Sequence, residues 1–157
     1  MTRLAGRGLA LELPVGWEGH IYRRAEDGSG STQPVMHVAS FPLPAARGDF
    51  GGGAVERMGP DDVFVALLEF HPSSAGAALF SSPPPAALGL GDFAPSSQQT
   101  FVEGNSAAQR FFSVGDRAFC LYAVIGSHAR RTALVPLVNR VLSGLAVTPL
   151  DRLGGSR

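Results

Sequence analysis

The run Ala108-Gln-Arg-Phe-Phe-Ser-Val114, then Gly115-Asp116, then Arg117-Ala-Phe-Cys-Leu-Tyr-Ala-Val-Ile-Gly126 decides the fold. Both flanking runs are rich in β-branched and aromatic residues, and a two-residue connection with Gly first is the signature of a tight hairpin of type II′ or I′. If Val114 faces Arg117, Phe112 lies opposite Phe119, Phe111 opposite Cys120 and Arg110 opposite Leu121. Phe112, Val114, Phe119, Leu121, Ala123 and Ile125 then share one face. The other face carries Phe111, Cys120, Tyr122 and Val124 and is also largely apolar, which places the second strand inside a sheet covered on both sides.

Working outward, Val63 to Phe70 is short, apolar on both faces and bounded by Asp61-Asp62 and Pro72, as expected of a buried strand. Upstream, Leu9, Leu11 and Leu13 alternate until Pro14 breaks the run, Trp17 to Arg24 alternates again, and Val35 to Phe41 reads as a third strand stopped by Pro42 and Pro44. Glu26 to Pro34 lacks any apolar residue and reads as a flexible loop. Residues 43 to 60 are glycine-rich and irregular, with one helical turn near Ala54 to Met58. Residues 71 to 100 hold many Ser, Pro, Gly and Ala but keep Leu79, Phe80, Leu88, Leu90 and Phe93, so they are expected to fold back onto the sheet as an ordered cover.

Downstream, Leu134, Leu137, Val138, Val141, Leu142 and Leu145 form the stripe of an amphipathic helix. Thr132 is the expected N-cap, which puts Pro136 in the first turn, and Gly144 the expected left-handed stop. A short strand from Leu145 to Thr148 and a frayed tail complete the chain. The expected fold is α+β: one domain over residues 1–149 with a flexible tail over 150–157, built on an antiparallel sheet of about six to seven strands with the C-terminal helix packed on one face. At 157 residues a domain typically buries roughly 70% of its unfolded surface, enough for a core without staples.

Composition excludes several functional classes. Net charge is zero and 17% of residues are charged, so no field recruits nucleic acid or an anionic membrane. All thirteen basic residues are arginine, read here as the codon bias of a GC-rich bacterial genome. The single cysteine, Cys120, rules out an internal disulfide and fits a reducing compartment; with no membrane-length apolar window, a cytoplasmic location is expected.

Reactive side chains form no recognisable catalytic motif. The histidines at 20, 37, 71 and 128 lack metal-ligand spacing, and the string from Gly89 to Ala94 follows prolines and opens no helix, so it lacks phosphate-cradling geometry. Glu69 and His71 would share a strand face, with the simplest reading that a strand end meets solvent there. Arg47-Gly48-Asp49 is a tripeptide of the kind that arises by chance, but the following Phe50-Gly51-Gly52-Gly53 reads as a mobile loop with an aromatic tip. Trp17 reads as a plug at the sheet edge.

The order of elements, with Leu13-Pro14-Val15-Gly16-Trp17 closing an early strand, resembles the PsbP-like and Mog-type α/β family. The resemblance implies an antiparallel sheet with helices against it and a role in binding or assembly. It carries over no functional residue. The expectation is a non-enzymatic binding or interaction module whose partner is a protein or a second copy, with no cofactor, no metal and no catalytic residue. The alternative is a small-molecule binder or enzyme with a pocket between the Phe111, Cys120 and Tyr122 face and the 71–100 segment. Candidate binding residues across both readings are Trp17, Phe50, Glu69, His71, Arg110 and Tyr122.

Overall fold

The computed structural model describes residues 1–24, 33–46 and 48–154. The loop expected over Glu26 to Pro34 and the tripeptide beginning at Arg47 lie wholly or partly outside the described residues. The central hairpin has the register read from the sequence: β6 (Ser106–Val114) pairs antiparallel with β7 (Arg117–Ile125), with Val114 opposite Arg117 and Phe112 opposite Phe119. Gly115 is left-handed (φ 59°) and Asp116 is not, which makes the connection type II′.

Instead of one sheet of six or seven strands, the described residues form eight strands in two antiparallel sheets. The larger has the order β3-β4-β5-β7-β6, with β3 at Glu18–Arg23, β4 at Pro34–Ala39 and β5 at Val63–Phe70. The smaller has the order β1-β2-β8, with β1 at Thr2–Gly6, β2 at Leu9–Leu13 and β8 at Ala146–Val147. The unexpected strand is β1, whose residues have little β-branched or aromatic character. It exists because Arg7 (φ 54°) and Gly8 (φ 76°) are both left-handed and close a type I′ turn onto β2, with Gly6 opposite Leu9. Between β2 and β3, the Trp17 N–H closes a turn on the Pro14 carbonyl at 3.1 Å, and there the chain leaves one sheet for the other.

The alternating faces of β7 divide the core as expected. Phe119, Leu121, Ala123 and Ile125 join Val63, Val65 and Leu67 of β5 under β2 (Leu9, Leu11, Leu13) and helix α1. Cys120, Tyr122 and Val124 join Phe64, Ala66 and Leu68 beneath Phe41, Ala54 and Val55, with Phe50, Met58 and Val102 packed against them. The expected turn near Ala54 is present as a 3-10 turn over Ala54–Arg57. The 71–100 segment runs along the outer edge of β6. Ala94 and Ala107 exchange backbone bonds at 3.0 and 3.1 Å, Ser113 bonds Ser82 and Phe80, and Phe80, Leu88 and Phe93 are buried. An edge that would otherwise expose unpaired N–H and C=O groups is thereby closed. Leu79 (57% exposed) and Leu90 (41%) remain outside.

Helix α1 spans Arg131–Leu142, starting two residues earlier than expected. A 3-10 turn over His128–Arg130 leads directly into it, so Arg130 and not Thr132 is the N-cap, and no side chain caps it. The buried stripe is Leu134, Val135, Val138 and Val141, while Leu137 turns outward at 37% exposure. Nor is Gly144 the left-handed stop: the helix ends on Ser143 in right-handed geometry. Beyond β8, Leu150–Gly154 forms a short second helix, α2, where a frayed tail was expected.

Pro136 therefore sits at the sixth helical position, where it lacks the N–H that would reach the Thr132 carbonyl, at an interior cost of about 3 kcal/mol. It is exposed and fills no core space. Replacing it also frees the unfolded chain, which offsets roughly 0.4–1 kcal/mol. Pro136→Ala is expected to stabilise the protein by about 2–2.5 kcal/mol, measured by urea denaturation; an unchanged or lowered midpoint would contradict this placement of the helix.

Candidate functional site

Glu69 and Arg117 are charged residues in strands that are otherwise apolar, and both point to the face shared by the two sheets. Each side chain is 1% exposed. Arg117 Nε donates to Glu69 Oε2 at 2.9 Å and Nη2 to Oε1 at 2.5 Å, a two-pronged pair. The remaining N–H groups turn to the smaller sheet: Nη2 donates to the Arg7 carbonyl at 3.0 Å, and Nη1 to those of Thr148 at 2.8 Å and Gly8 at 3.4 Å. All five guanidinium donors are thus engaged. The guanidinium also lies 5.3 Å from the Phe119 ring centre.

Over this pair opens a cleft of about 200 Å³ lined by Arg7, Arg23, Gln33, Pro34, Glu69, Arg117, Leu150 and Leu153. The β1–β2 turn supplies Arg7, the end of β3 supplies Arg23, and α2 supplies the two leucines. At the cleft floor the charges of Glu69 and Arg117 cancel. Arg7 and Arg23, both exposed, rim the opening with positive charge.

The six residues singled out from the sequence are not brought together. Glu69 belongs to this cleft, buried where a solvent-facing strand end was expected. His71 does face solvent, and its Nδ1 accepts from the Ser73 N–H at 3.2 Å, closing the turn after β5. Arg110 stands on β6 in an ion pair with Asp92 of the edge cover. Trp17 is half-buried against the core between the sheets.

Phe50 and Tyr122 do meet, edge to face at 5.1 Å, on the opposite face of the larger sheet from Glu69. The expected mobile aromatic tip is a packed plug. Tyr22 donates to the Gly48 carbonyl at 3.0 Å, His37 Nε2 lies 3.1 Å from the Asp49 carbonyl, and a Cβ on Gly51 would meet Phe64 at 2.9 Å. Nearby, Tyr122 Oη accepts from the Gln99 N–H at 2.7 Å, and Gln109 Nε2 donates to Cys120 Sγ at 3.2 Å. Burial pushes both the Cys120 thiol and the Tyr122 phenol above their ordinary pKa, so at neutral pH both stay protonated. A buried neutral thiol is a core hydrophobe, not a nucleophile.

Arg7, Arg23, Arg117, Leu150 and Leu153 were not singled out. The available signals were the Arg7-Gly8 pair, which fits a left-handed turn, and an arginine opening an otherwise apolar strand. Among the described residues no group of three His, Cys, Asp or Glu side chains is placed to hold a metal ion, and no helix is long and apolar enough to cross a membrane. Compared with known proteins, the chain matches no family model, no curated protein and no solved structure.

Removing one member of a buried ion pair strands the other charge, at a cost of about 3–5 kcal/mol. Glu69→Ala is expected to fall in that range by chemical denaturation, and Arg117→Lys, which cannot reproduce the fork, to lose at least about 1 kcal/mol. A loss within about 0.5 kcal/mol for both would show that the pair does not hold the fold.

Proposed function

We propose that the chain is a non-enzymatic binding module whose binding surface is the cleft over Glu69 and Arg117. The observation that carries this reading is that the groups suited to chemistry are committed to the fold. The Arg117 donors are all taken, Cys120 and Tyr122 are buried in protonated form, and His71 closes a turn. The cleft offers a concave polar opening on a rigid two-sheet frame, the arrangement expected of a binding site. A role in binding or assembly is also what the resemblance to the PsbP-like and Mog-type family implies. A pocket beneath the 71–100 segment has less support, because Phe80, Leu88 and Phe93 from that segment are themselves buried, Phe80 against Phe70 and Phe111.

A protein partner is favoured by a separate observation. Leu79, Leu90 and Phe101 (69% exposed) are large apolar side chains left in solvent along residues 79–101. The test is to titrate a fractionated host extract into the isotope-labelled full chain and follow its backbone amides by NMR. Saturable shifts at cleft residues, with the bound compound recovered unchanged, are expected. Shifts confined to residues 79–101 would move the reading to the protein interface, and chemical conversion of the compound would end the non-enzymatic reading.

A further inference from the structure

We propose that Pro83-Pro84-Pro85 is a docking ridge for a protein partner with an uncharged, aromatic-lined groove. The inference deepens the protein-partner reading of residues 79–101 and is independent of the cleft. Its first support is backbone geometry. Each proline ring fixes its own φ at about −65° and drives the residue before it into extended or polyproline II backbone, so Ser82, Pro83 and Pro84 are all directed to that form. The segment belongs to no helix and no strand. Pro83 and Pro84 are exposed and Pro85 is half-buried, so the ridge rests one ring on the protein and turns two adjacent rings to solvent.

The second support is that both ends of the ridge are fastened. On the β6 side, the Ser82 carbonyl accepts from the Ser113 N–H at 3.2 Å, and the carbonyl of buried Phe80 accepts from the Ser113 hydroxyl at 2.7 Å. On the α1 side, buried Leu88 donates its N–H to Asn139 Oδ1 and accepts from Asn139 Nδ2, both at 2.8 Å. The residues between these points are held before any partner arrives, which lowers the ordering entropy that docking costs.

The third support is the chemistry left facing outward. Proline has no N–H, and among the described residues no backbone hydrogen bond ties Pro83, Pro84, Pro85, Ala86 or Ala87 to the rest of the chain. The ridge therefore offers carbonyl acceptors and apolar rings. Its complement is a surface of flat apolar faces that also carry N–H or O–H donors, which Trp and Tyr supply together. Charge points the same way. No Asp, Glu, Lys or Arg occurs from His71 to Gly91, and Asp92 beyond it is paired with Arg110. A charged groove would lose hydration here without gaining a counter-charge, whereas an uncharged one meets no such cost. Leu79 and Leu90, both exposed, continue the apolar surface on either side in sequence.

The experiment is an NMR titration of the labelled full chain with a purified WW domain and, separately, a purified EVH1 domain, both of which hold proline-rich segments in aromatic grooves. At least one is expected to shift the amides of Ser82, Ala86, Ala87 and Leu88 saturably, and a free polyproline peptide is expected to reverse the shifts. With that domain labelled instead, the indole N–H of its groove is expected to move. In the double variant Pro83→Ala, Pro84→Ala the affinity is expected to fall at least about tenfold, with the amides of β5 and β7 unmoved. Prolines that only stiffen the edge cover would lower the melting temperature when replaced and bind neither domain. Absence of saturable shifts with both domains, shifts that polyproline does not reverse, or undiminished affinity in the double variant would each overturn the inference. If both domains fail while a host protein still shifts the amides of residues 79–101, the inference falls and the protein-partner reading stands.

Discussion

Arg117 is where the two sheets are tied together. Its fork on Glu69 joins the start of β7 to the end of β5, and its other donors hold the carbonyls of Arg7, Gly8 and Thr148 at the far end of the smaller sheet. A buried arginine without this full set of acceptors would be an uncompensated charge in the core, so the position of the β1–β2 turn is dictated by the guanidinium as much as by the leucines of β2. The Thr148 N–H closes the same junction by donating to the Gly8 carbonyl at 2.8 Å.

The cleft follows from this arrangement. Because Arg117 spends its donors on the fold, it supplies a neutral floor with Glu69. The helix α2 forms one wall, and its Leu153 packs beside Gly8 so closely that a Cβ there would meet Leu153 Cδ1 at 2.8 Å. The same junction that fastens the sheets thus shapes the opening above it.

Much of the larger sheet was legible in the sequence because its signals are local. Gly115-Asp116 fixed the turn, the turn fixed the register, and the register sorted Phe112 and Phe119 from Phe111 and Cys120. Val63 to Phe70 was legible through length and apolarity. What the sequence hid was long-range. The strand β1 is marked only by its turn, and the helix begins two residues early because the chain enters α1 through a 3-10 turn over His128–Arg130. Glu69 read as a strand end because its partner lies 48 residues away. The cleft combines residues from the first 34 positions with residues from position 150 onward, and no spacing in the sequence announces that meeting.

The account turns on Arg117 as the clip between the sheets, and native-state hydrogen exchange of Arg117→Met tests it most directly. Met keeps the apolar stem but gives up every donor. The account predicts that protection falls first and most at the β1–β2 amides and at Ala146 and Val147, while β5 and β7 stay protected through their own ladder. Uniform loss across both sheets, or unchanged protection in β1 and β2, would contradict it.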